Sequence, residues 1–298
     1  MNRHECANKC FDDIMTLQGI DEFKAMVQRL RKFQHNKEKY SMSDVTLPNY
    51  LWIAQRGGGI STCIDVFAEY LYYERIIEFT GIDKYFECKL AYISPEAFFS
   101  ELVRLNNTIS EIAGRHRYFR GLVCINIDEW VEHTDESHFY QFLDYIASSN
   151  DKVLAILYVH TTNKRIVRKI ESSLSSHIRF ETVQLRFPKV NELVEFIETK
   201  YFIRHGFCLA ADARMLLKDS ILRMVQGEHF NGFITIKQMA NDILFSLLES
   251  SIGSFEISAG MLLNFHKEST YVKRIMALGG SDRTIGFDLP MEDHSNEK

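Results

Sequence analysis

Features that mark specialised classes of protein are scarce in this chain of 298 residues. With 4 prolines and 15 glycines, it is neither collagen-like nor of low complexity. Six cysteines are too few for a disulfide framework at this length and are typical of a reducing compartment. The longest uncharged apolar stretch, residues 153–163, is well short of the roughly 20 residues that cross a bilayer, and the polar first ten residues lack a signal-peptide core. We therefore expect a cytoplasmic protein that does not span a membrane.

An excess of positive charge is also missing. The chain has 35 basic and 40 acidic residues, a net charge of −5, and 46% of it is hydrophobic. A protein that binds nucleic acid usually carries a basic surplus, so the composition gives no sign of such a partner. Local basic clusters at residues 115–120 and 164–169 are the exception, and a solvated surface explains them equally well.

What the sequence does contain is an alternation of strand and helix patterns. Apolar runs predict five strands, at residues 49–54, 86–92, 121–127, 153–159 and 182–187. Helical spacing between them predicts βαβ units, hence an α/β fold with a parallel sheet and helices on both faces. An amphipathic helix is expected within residues 11–40. Beyond residue 192 only helical patterns follow, at 192–205, 210–226, 234–250 and 259–273, so the second part is predicted to be all helical.

A glycine-rich loop lies between the first strand and the helix predicted over residues 61–73. It reads Ala-Gln-Arg-Gly-Gly-Gly-Ile-Ser-Thr over residues 54–62. Backbone N–H groups of such a loop point into a concavity at a helix N-terminus, where partial positive charge favours phosphate. The candidate phosphate-binding residues are Arg56, Gly57, Gly58, Gly59, Ile60, Ser61 and Thr62.

Polar residues follow two later strands of the predicted sheet. Asp128 and Glu129 come directly after a buried run, and Asn163 follows the next one. Open α/β sheets bind ligands at the carboxyl edge of their strands. One carboxylate there is suited to hold Mg²⁺ and a second to polarise a water molecule, so the loop and these residues together describe a nucleoside-triphosphate site.

In this order the motifs resemble those of the AAA+ ATPases, and within them the CbxX/CfqX group. The resemblance covers residues 14–250 and includes segments 17–21, 122–129, 179–180 and 230–238 as well as Asn163. It implies a nucleotide bound between the α/β part and a helical lid, with Gly19 and Ile20 near the adenine. It also implies ring-shaped oligomers in which Arg179 is an arginine finger that reaches the neighbour's site.

With the helical patterns, the resemblance predicts four segments. Residues 1–44 form a helical lead-in, 45–190 an AAA+ α/β domain of P-loop NTPase type, 191–275 a small all-helical lid and 276–298 a polar tail. The implied cofactors are ATP and Mg²⁺. If the chain hydrolyses ATP, Glu129 orients water, Asp128 and Ser61 hold Mg²⁺, and Asn163 senses the γ-phosphate.

The departures from the family pattern bear on activity. A complete P-loop has lysine immediately before Ser/Thr, and this chain has Ile60 there, while Ala54 replaces the first glycine. Arg56 is a partial substitute for the missing charge. Lys237 stands where a sensor-2 arginine is expected, without the planar guanidinium fork. The pore-loop position, residues 102–106, lacks the aromatic-glycine step of threading motors.

The predicted function is therefore an AAA+-like module that binds ATP weakly or vestigially and remodels, regulates or scaffolds a protein partner. As an enzyme it is a nucleoside triphosphatase by family, weakened or inactivated by Ile60. Its partners are expected to be another protein or the subunits of a homo- or hetero-oligomeric ring. The alternative is a nucleotide-independent interaction protein that keeps only the fold, and a third hypothesis is a nucleic-acid-processing ATPase.

Two further groups of residues have the types that ligate metals. Glu129 and His133 are four apart on a predicted helix, as are Asp128 and Glu132. His4, Cys6 and Cys10 form a partial zinc-like set, for which no second pair lies close in the sequence, and a frayed terminus is the simpler interpretation.

Overall fold

A computed structural model describes residues 2–42, 45–79, 85–89, 121–148, 153–226, 230–249 and 255–262. The chain divides into two compact units, Met1–Lys189 and Val190–Lys298. The first contains α1 (Arg3–Met15), α2 (Asp21–Lys39), β1 (Asn49–Ala54), α3 (Ile60–Glu74), β2 (Tyr85–Lys89), β3 (Gly121–Asn126), α4 (Ser137–Ser148), β4 (Val153–His160), α5 (Lys164–Ser175) and β5 (Phe180–Leu185). The second contains α6 (Val190–Ile197), β6 (Cys208–Leu209), α7 (Ala211–Val225), α8 (Gly232–Glu249) and β7 (Glu256–Ile257).

The first unit is built on a five-stranded parallel sheet in the order β2-β3-β4-β1-β5. β1 is paired on both sides, with β4 and with β5, so β4 separates it from β3. Since all strands run in one direction, their carboxyl ends meet at the same edge. The predicted α/β fold with a parallel sheet and helices on both faces is thus confirmed.

Alternate residues along the strands belong to two separate hydrophobic cores, one on each face of the sheet. Tyr50 and Trp52 of β1 pack with Phe23 of α2 and Phe67 of α3 on one face. Leu51, the intervening residue of β1, belongs to the other face with residues of α4 and α5. Because both faces of β1 are covered, all six of its residues are buried, which explains its uninterrupted apolar run.

The N-terminal segment is an ordered helix, so the frayed terminus expected from the sequence is wrong. Asn2 caps α1 through a capping box: its side chain accepts from the Glu5 N–H at 2.9 Å, and Glu5 accepts from the Asn2 N–H at 2.8 Å. The buried side chains of Cys10 and Ile14 then join the core beside α3. In the sequence, this capping box is indicated by Asn2 and Glu5, which are three positions apart.

The second unit corrects the expectation of an all-helical part. Its helices lie close to the predicted ranges, but Cys208–Leu209 and Glu256–Ile257 form a short parallel pair. The helix predicted over residues 192–205 stops being α-helical after Ile197 and continues as a π-helical turn, Glu198–Phe202, and a 3-10 turn, Ile203–His205. Gly206 (φ 82°) ends it in the left-handed conformation.

Several predictions fall outside the described residues. They are the helix over 96–105, the pore-loop position 102–106, the basic cluster 115–120, the polar tail and all but the first four residues of the helix over 259–273. In the parts of the chain that the structure describes, no helix is both long and apolar enough to cross a membrane.

Candidate functional site at the carboxyl edge of the sheet

The glycine loop after β1 has a backbone that requires glycine. Gly57 (φ 70°) and Gly59 (φ 89°) adopt the left-handed conformation, which strains residues with a side chain. Gly58 donates its N–H to the carbonyl oxygen of Gln55 at 2.9 Å, and a Cβ at Gly58 would lie 2.7 Å from that oxygen. The tight turn thus brings the chain directly from β1 into α3.

The first turn of α3 presents backbone donors at this loop. Gly59 is the N-cap and supplies no side-chain cap, and the first hydrogen bond of the helix runs from the Cys63 N–H to the Gly59 carbonyl at 3.0 Å. The N–H groups of Ile60, Ser61 and Thr62 therefore have no partner within the helix. They form the electropositive end of α3, as expected for a phosphate-binding loop.

Ile60, which stands where a P-loop is expected to have lysine, is part of the hydrophobic core. Ile60 is 4% exposed and packs in the same core as Ile64 and Phe67 of α3. Arg56 is exposed, and within the described parts of the chain its guanidinium has no partner. Arg56 is therefore the basic side chain that the loop itself offers.

Asp128 follows β3 and is held by three groups. Its Oδ1 accepts from the His160 N–H at 2.7 Å, its Oδ2 lies 2.8 Å from the His160 Nδ1, and the Asn126 Nδ2 donates to Oδ2 at 3.2 Å. Burial raises the pKa of Asp128, but the hydrogen bonds from His160 and Asn126 outweigh it, so the pKa lies below its ordinary value. Asp128 is consequently a carboxylate at neutral pH.

His160 is a site residue that the sequence analysis missed. It ends β4 and lies beside Ala54, the last residue of β1, while Tyr158 pairs with Asn126 of β3. The His160 side chain thus lies at the sheet edge between Asp128 and the glycine loop. Asp128 follows β3 and the loop follows β1, and these two strands are two inter-strand spacings, about 10 Å, apart. The sequence signal that could have identified His160 is a titratable residue directly after the apolar run 153–159.

Glu129 and Asn163 reach the same edge in different ways. Glu129 is exposed within a short 3-10 turn, Asp128–Trp130. Asn163 is the N-cap of α5, and its Oδ1 accepts from the Arg165 N–H at 2.9 Å. The structure therefore gives Asn163 a capping role, and a contact of its amide with phosphate stays a prediction.

The lead-in segment is attached to the end of β5, the strand next to β1. Gly19 (φ 74°) faces Pro188, and a Cβ on it would lie 2.8 Å from the Pro188 Cα. Glu22 accepts from the Gln184 N–H at 2.8 Å. Ile20 is buried in the core beside α2. Gly19 and the glycine loop are thus at the carboxyl ends of adjacent strands.

Two further predicted site residues are found on other elements. Arg179 lies at the opposite end of β5, where its carbonyl accepts from the Asn49 N–H at 3.0 Å, and its side chain is exposed. Lys237 is an exposed residue of α8 in the second unit. The arginine-finger and sensor-2 roles stay predictions.

The alternative metal sites are not supported. The helix on which Glu129 and His133 were to share a face is absent, since only Asp128–Trp130 form a 3-10 turn. His133 Nδ1 instead lies 2.7 Å from Glu136 Oε1. Across the described ranges, there is no group of three or more histidine, cysteine or acidic side chains that could hold a metal ion. The N-terminal set with Cys6 is among the residues to which this applies.

The chain has structural neighbours among solved proteins. No family model matches the sequence, and no curated protein matches it. Among solved structures, the chain is similar to RuvB from Thermotoga maritima, in a variant with one arginine replaced by alanine. The two share 14% identity with a TM-score of 0.46, and the match covers 80% of this chain and 67% of that one. The fold class therefore rests on the strand order and register described above.

Proposed function

We propose that this chain is an AAA+-like module that binds ATP weakly or vestigially and remodels, regulates or scaffolds a protein partner. The observation that carries this proposal is that the glycine loop, whose N-cap residue Gly59 has no side chain to cap α3, lies at the same sheet edge as the ionised carboxylate of Asp128, with β4 between their two strands. This arrangement supplies donors for phosphate and a hard oxygen ligand for Mg²⁺.

The residues at the edge fit a magnesium nucleotide only in part. The N–H groups at the start of α3 fit a phosphate, and the hydroxyl of Ser61 with the carboxylate of Asp128 fits Mg²⁺. However, His160 holds both oxygens of Asp128, and Ile60 supplies no charge. Weak binding is the expected result, because the metal competes with the imidazole for the carboxylate.

Turnover is a finer part of the proposal. Glu129 orients the attacking water, Asn163 contacts the γ-phosphate, and Lys237 of the lid and Arg179 of a neighbouring subunit supply positive charge. The proposed assembly is a ring of like or related subunits, which would bring Arg179 to a neighbour's loop. We expect slow hydrolysis, since charge-assisted contacts of the missing lysine are worth a few kcal/mol, roughly one or two strong hydrogen bonds.

A second candidate function is a nucleotide-independent interaction protein that keeps the fold. The observation in its favour is the burial of Ile60 together with the engagement of Asp128 by His160, since both groups are then satisfied without any ligand. Under this alternative the glycine loop is only the connection between β1 and α3.

The thermal midpoint with and without millimolar Mg-ATP separates the two functions. A ligand at 100 times its Kd adds about 2.7 kcal/mol of stability. We expect a rise in the wild type that Gly58→Ala abolishes, because the new Cβ would meet the Gln55 oxygen at 2.7 Å. Gly260→Ala is the matched control, since among the described residues its Cβ would meet only Ser258 Oγ at 3.8 Å, and it should retain the rise.

Two outcomes would overturn the nucleotide-binding proposal. One is an unchanged midpoint of the wild type in Mg-ATP. The other is an equal rise in wild type and Gly58→Ala, which would place any bound nucleotide elsewhere. The first result would favour the nucleotide-independent interaction protein, and the second would reduce the glycine loop to a connection between β1 and α3.

A further inference from the structure

A second concave site lies in the first unit, away from the glycine loop. It is a cavity of about 920 Å³ lined by α1, α2 and the C-terminal end of α3. This volume is within the range of roughly 300–1,000 Å³ that small-molecule sites occupy. α3 begins at the glycine loop and ends at the cavity, and its 15 residues separate the two by about 20 Å.

The cavity is rich in positive charge although the whole chain carries a net charge of −5. Its lining includes four cationic side chains, those of Arg3, Arg31, Lys32 and Arg75, and the imidazoles of His4 and His35. Two carboxylates, those of Glu38 and Glu74, oppose them. In the described parts of the chain neither carboxylate forms an ion pair with these cations, and Glu38 accepts instead from the Gln34 Nε2 at 2.9 Å.

Arg3 is held in place within the cavity by the end of α3. Its Nε donates to the Tyr73 carbonyl at 3.1 Å, and its Nη2 donates to the Tyr72 carbonyl. These two bonds leave the donors of Nη1 and one of Nη2 for another acceptor. A guanidinium that is already ordered loses little further entropy when it binds an anion.

Arg31 is positioned from the other side. Its Nη2 donates to Asn8 Oδ1, and its guanidinium carbon lies 4.2 Å from the centre of the Phe11 ring. Ala7, Phe11 and Tyr73 give the cavity an apolar part beside these charges. Held guanidinium groups next to apolar surface suit a ligand that has both an anionic end and an apolar body.

Lys32 and Arg75 are exposed, and among the described residues their side chains have no partner. Arg75 also has an unusual backbone: it ends α3 in the left-handed conformation (φ 56°, ψ 33°), a position usually taken by glycine. A residue with a side chain costs about 1 kcal/mol there. This conformation places an unpaired arginine at the rim of the cavity.

We propose that this cavity binds a small organic phosphate, with the phosphate held by Arg3, Arg31, Lys32 and Arg75 and its apolar body against Phe11 and Tyr73. The site is separate from the glycine loop and does not depend on nucleotide binding there. Since the attraction is largely between exposed charges, binding should weaken as salt is raised.

The probe for this site is 1-naphthyl phosphate, with binding measured by titration calorimetry on the full chain. The test variant is Lys32→Gln/Arg75→Gln, which removes two exposed side chains that have no hydrogen-bond or ion-pair partner among the described residues. Lys9→Gln/Arg168→Gln is the matched control, because it removes the same charge at two exposed positions outside the cavity. We expect the test variant to lose about tenfold in affinity, or about 1.4 kcal/mol, and the control to equal the wild type.

Other results of the same experiment would overturn the proposal. They are no binding to the wild type at millimolar probe, an equal loss in both double variants, or loss of binding in Gly58→Ala, which would move the probe to the glycine loop. If inorganic phosphate binds as tightly as the probe, the proposed apolar contact does not contribute to binding. A hexaglutamate peptide that binds where the probe does not would favour an acidic protein segment instead.

Discussion

At the scale of single residues, the side chain at position 60 decides how the glycine loop can be used. Ile60 lies at helical spacing with Ile64 and Phe67, and all three are buried on one face of α3. The residue therefore contributes to the core instead of to phosphate binding. Introducing lysine at position 60 exchanges one contribution for the other, so its effects on stability and on ligand binding should have opposite signs.

The first prediction concerns Ile60→Lys. Without nucleotide it should lower the free energy of unfolding by about 3 kcal/mol, because an ammonium group replaces a buried side chain. It should also enlarge the rise in thermal midpoint caused by Mg-ATP. Ile64→Lys, one turn further along the same buried face, is the control and should destabilise without enlarging that rise. An equal or smaller nucleotide effect in Ile60→Lys would show that the loop does not present this position to phosphate.

The second prediction concerns His160, which holds the carboxylate that Mg²⁺ would need. His160→Ala removes the imidazole from Oδ2 of Asp128 and leaves the backbone N–H of residue 160 on Oδ1, so the midpoint rise in Mg-ATP should exceed that of the wild type. His177→Ala is matched, since the His177 Nδ1 also lies 2.8 Å from an aspartate, Asp144, and its side chain is similarly exposed (22% against 21%). A smaller rise in His160→Ala than in wild type would mean that the imidazole supports the ligand and does not compete with it.

At the scale of elements, the sequence predicted structure best where the residue pattern that indicates an element lies within that element. The strands β1, β3 and β4 were visible because a strand covered on both faces is apolar throughout, and the glycine loop because its residues are consecutive. Contacts between distant elements were not visible. Asp128 and His160 are 32 residues apart, and their pairing depends on β3 and β4 being neighbours.

The lead-in segment also makes a contact between distant parts of the chain that the sequence did not reveal. This contact gives the third prediction. Gly19→Ala combines a left-handed backbone with a Cβ 2.8 Å from Pro188, whereas Gly206→Ala has φ 82° and a Cβ with no heavy atom of the described residues within 4 Å. The control should cost about 1 kcal/mol of unfolding free energy, the usual penalty of that conformation. Gly19→Ala should cost at least about 1 kcal/mol more, as overpacking does. Equal costs in chemical denaturation would mean that the contact with Pro188 does not constrain the lead-in.

At the scale of the whole molecule, β5 separates the proposed arginine finger from the loop of its own subunit. Arg179 precedes the first residue of β5, and the strand of six residues runs about 17 Å to the carboxyl edge. An extended arginine side chain covers less than half of that distance. If Arg179 has a role in hydrolysis, it must act on the site of a neighbouring subunit.

The fourth prediction follows from this distance. ATP turnover per chain should rise with protein concentration in the wild type, because assembly brings Arg179 to a second subunit's loop. Arg179→Ala should stay at the dilute rate at every concentration, while Arg168→Ala, also an exposed arginine of the first unit, should follow the wild type. Turnover measured from dilute to concentrated protein, with sedimentation velocity at each point, separates loss of the finger from loss of assembly. A wild-type rate independent of concentration would remove Arg179 from the proposed site, because no geometry within one chain allows it to reach the loop.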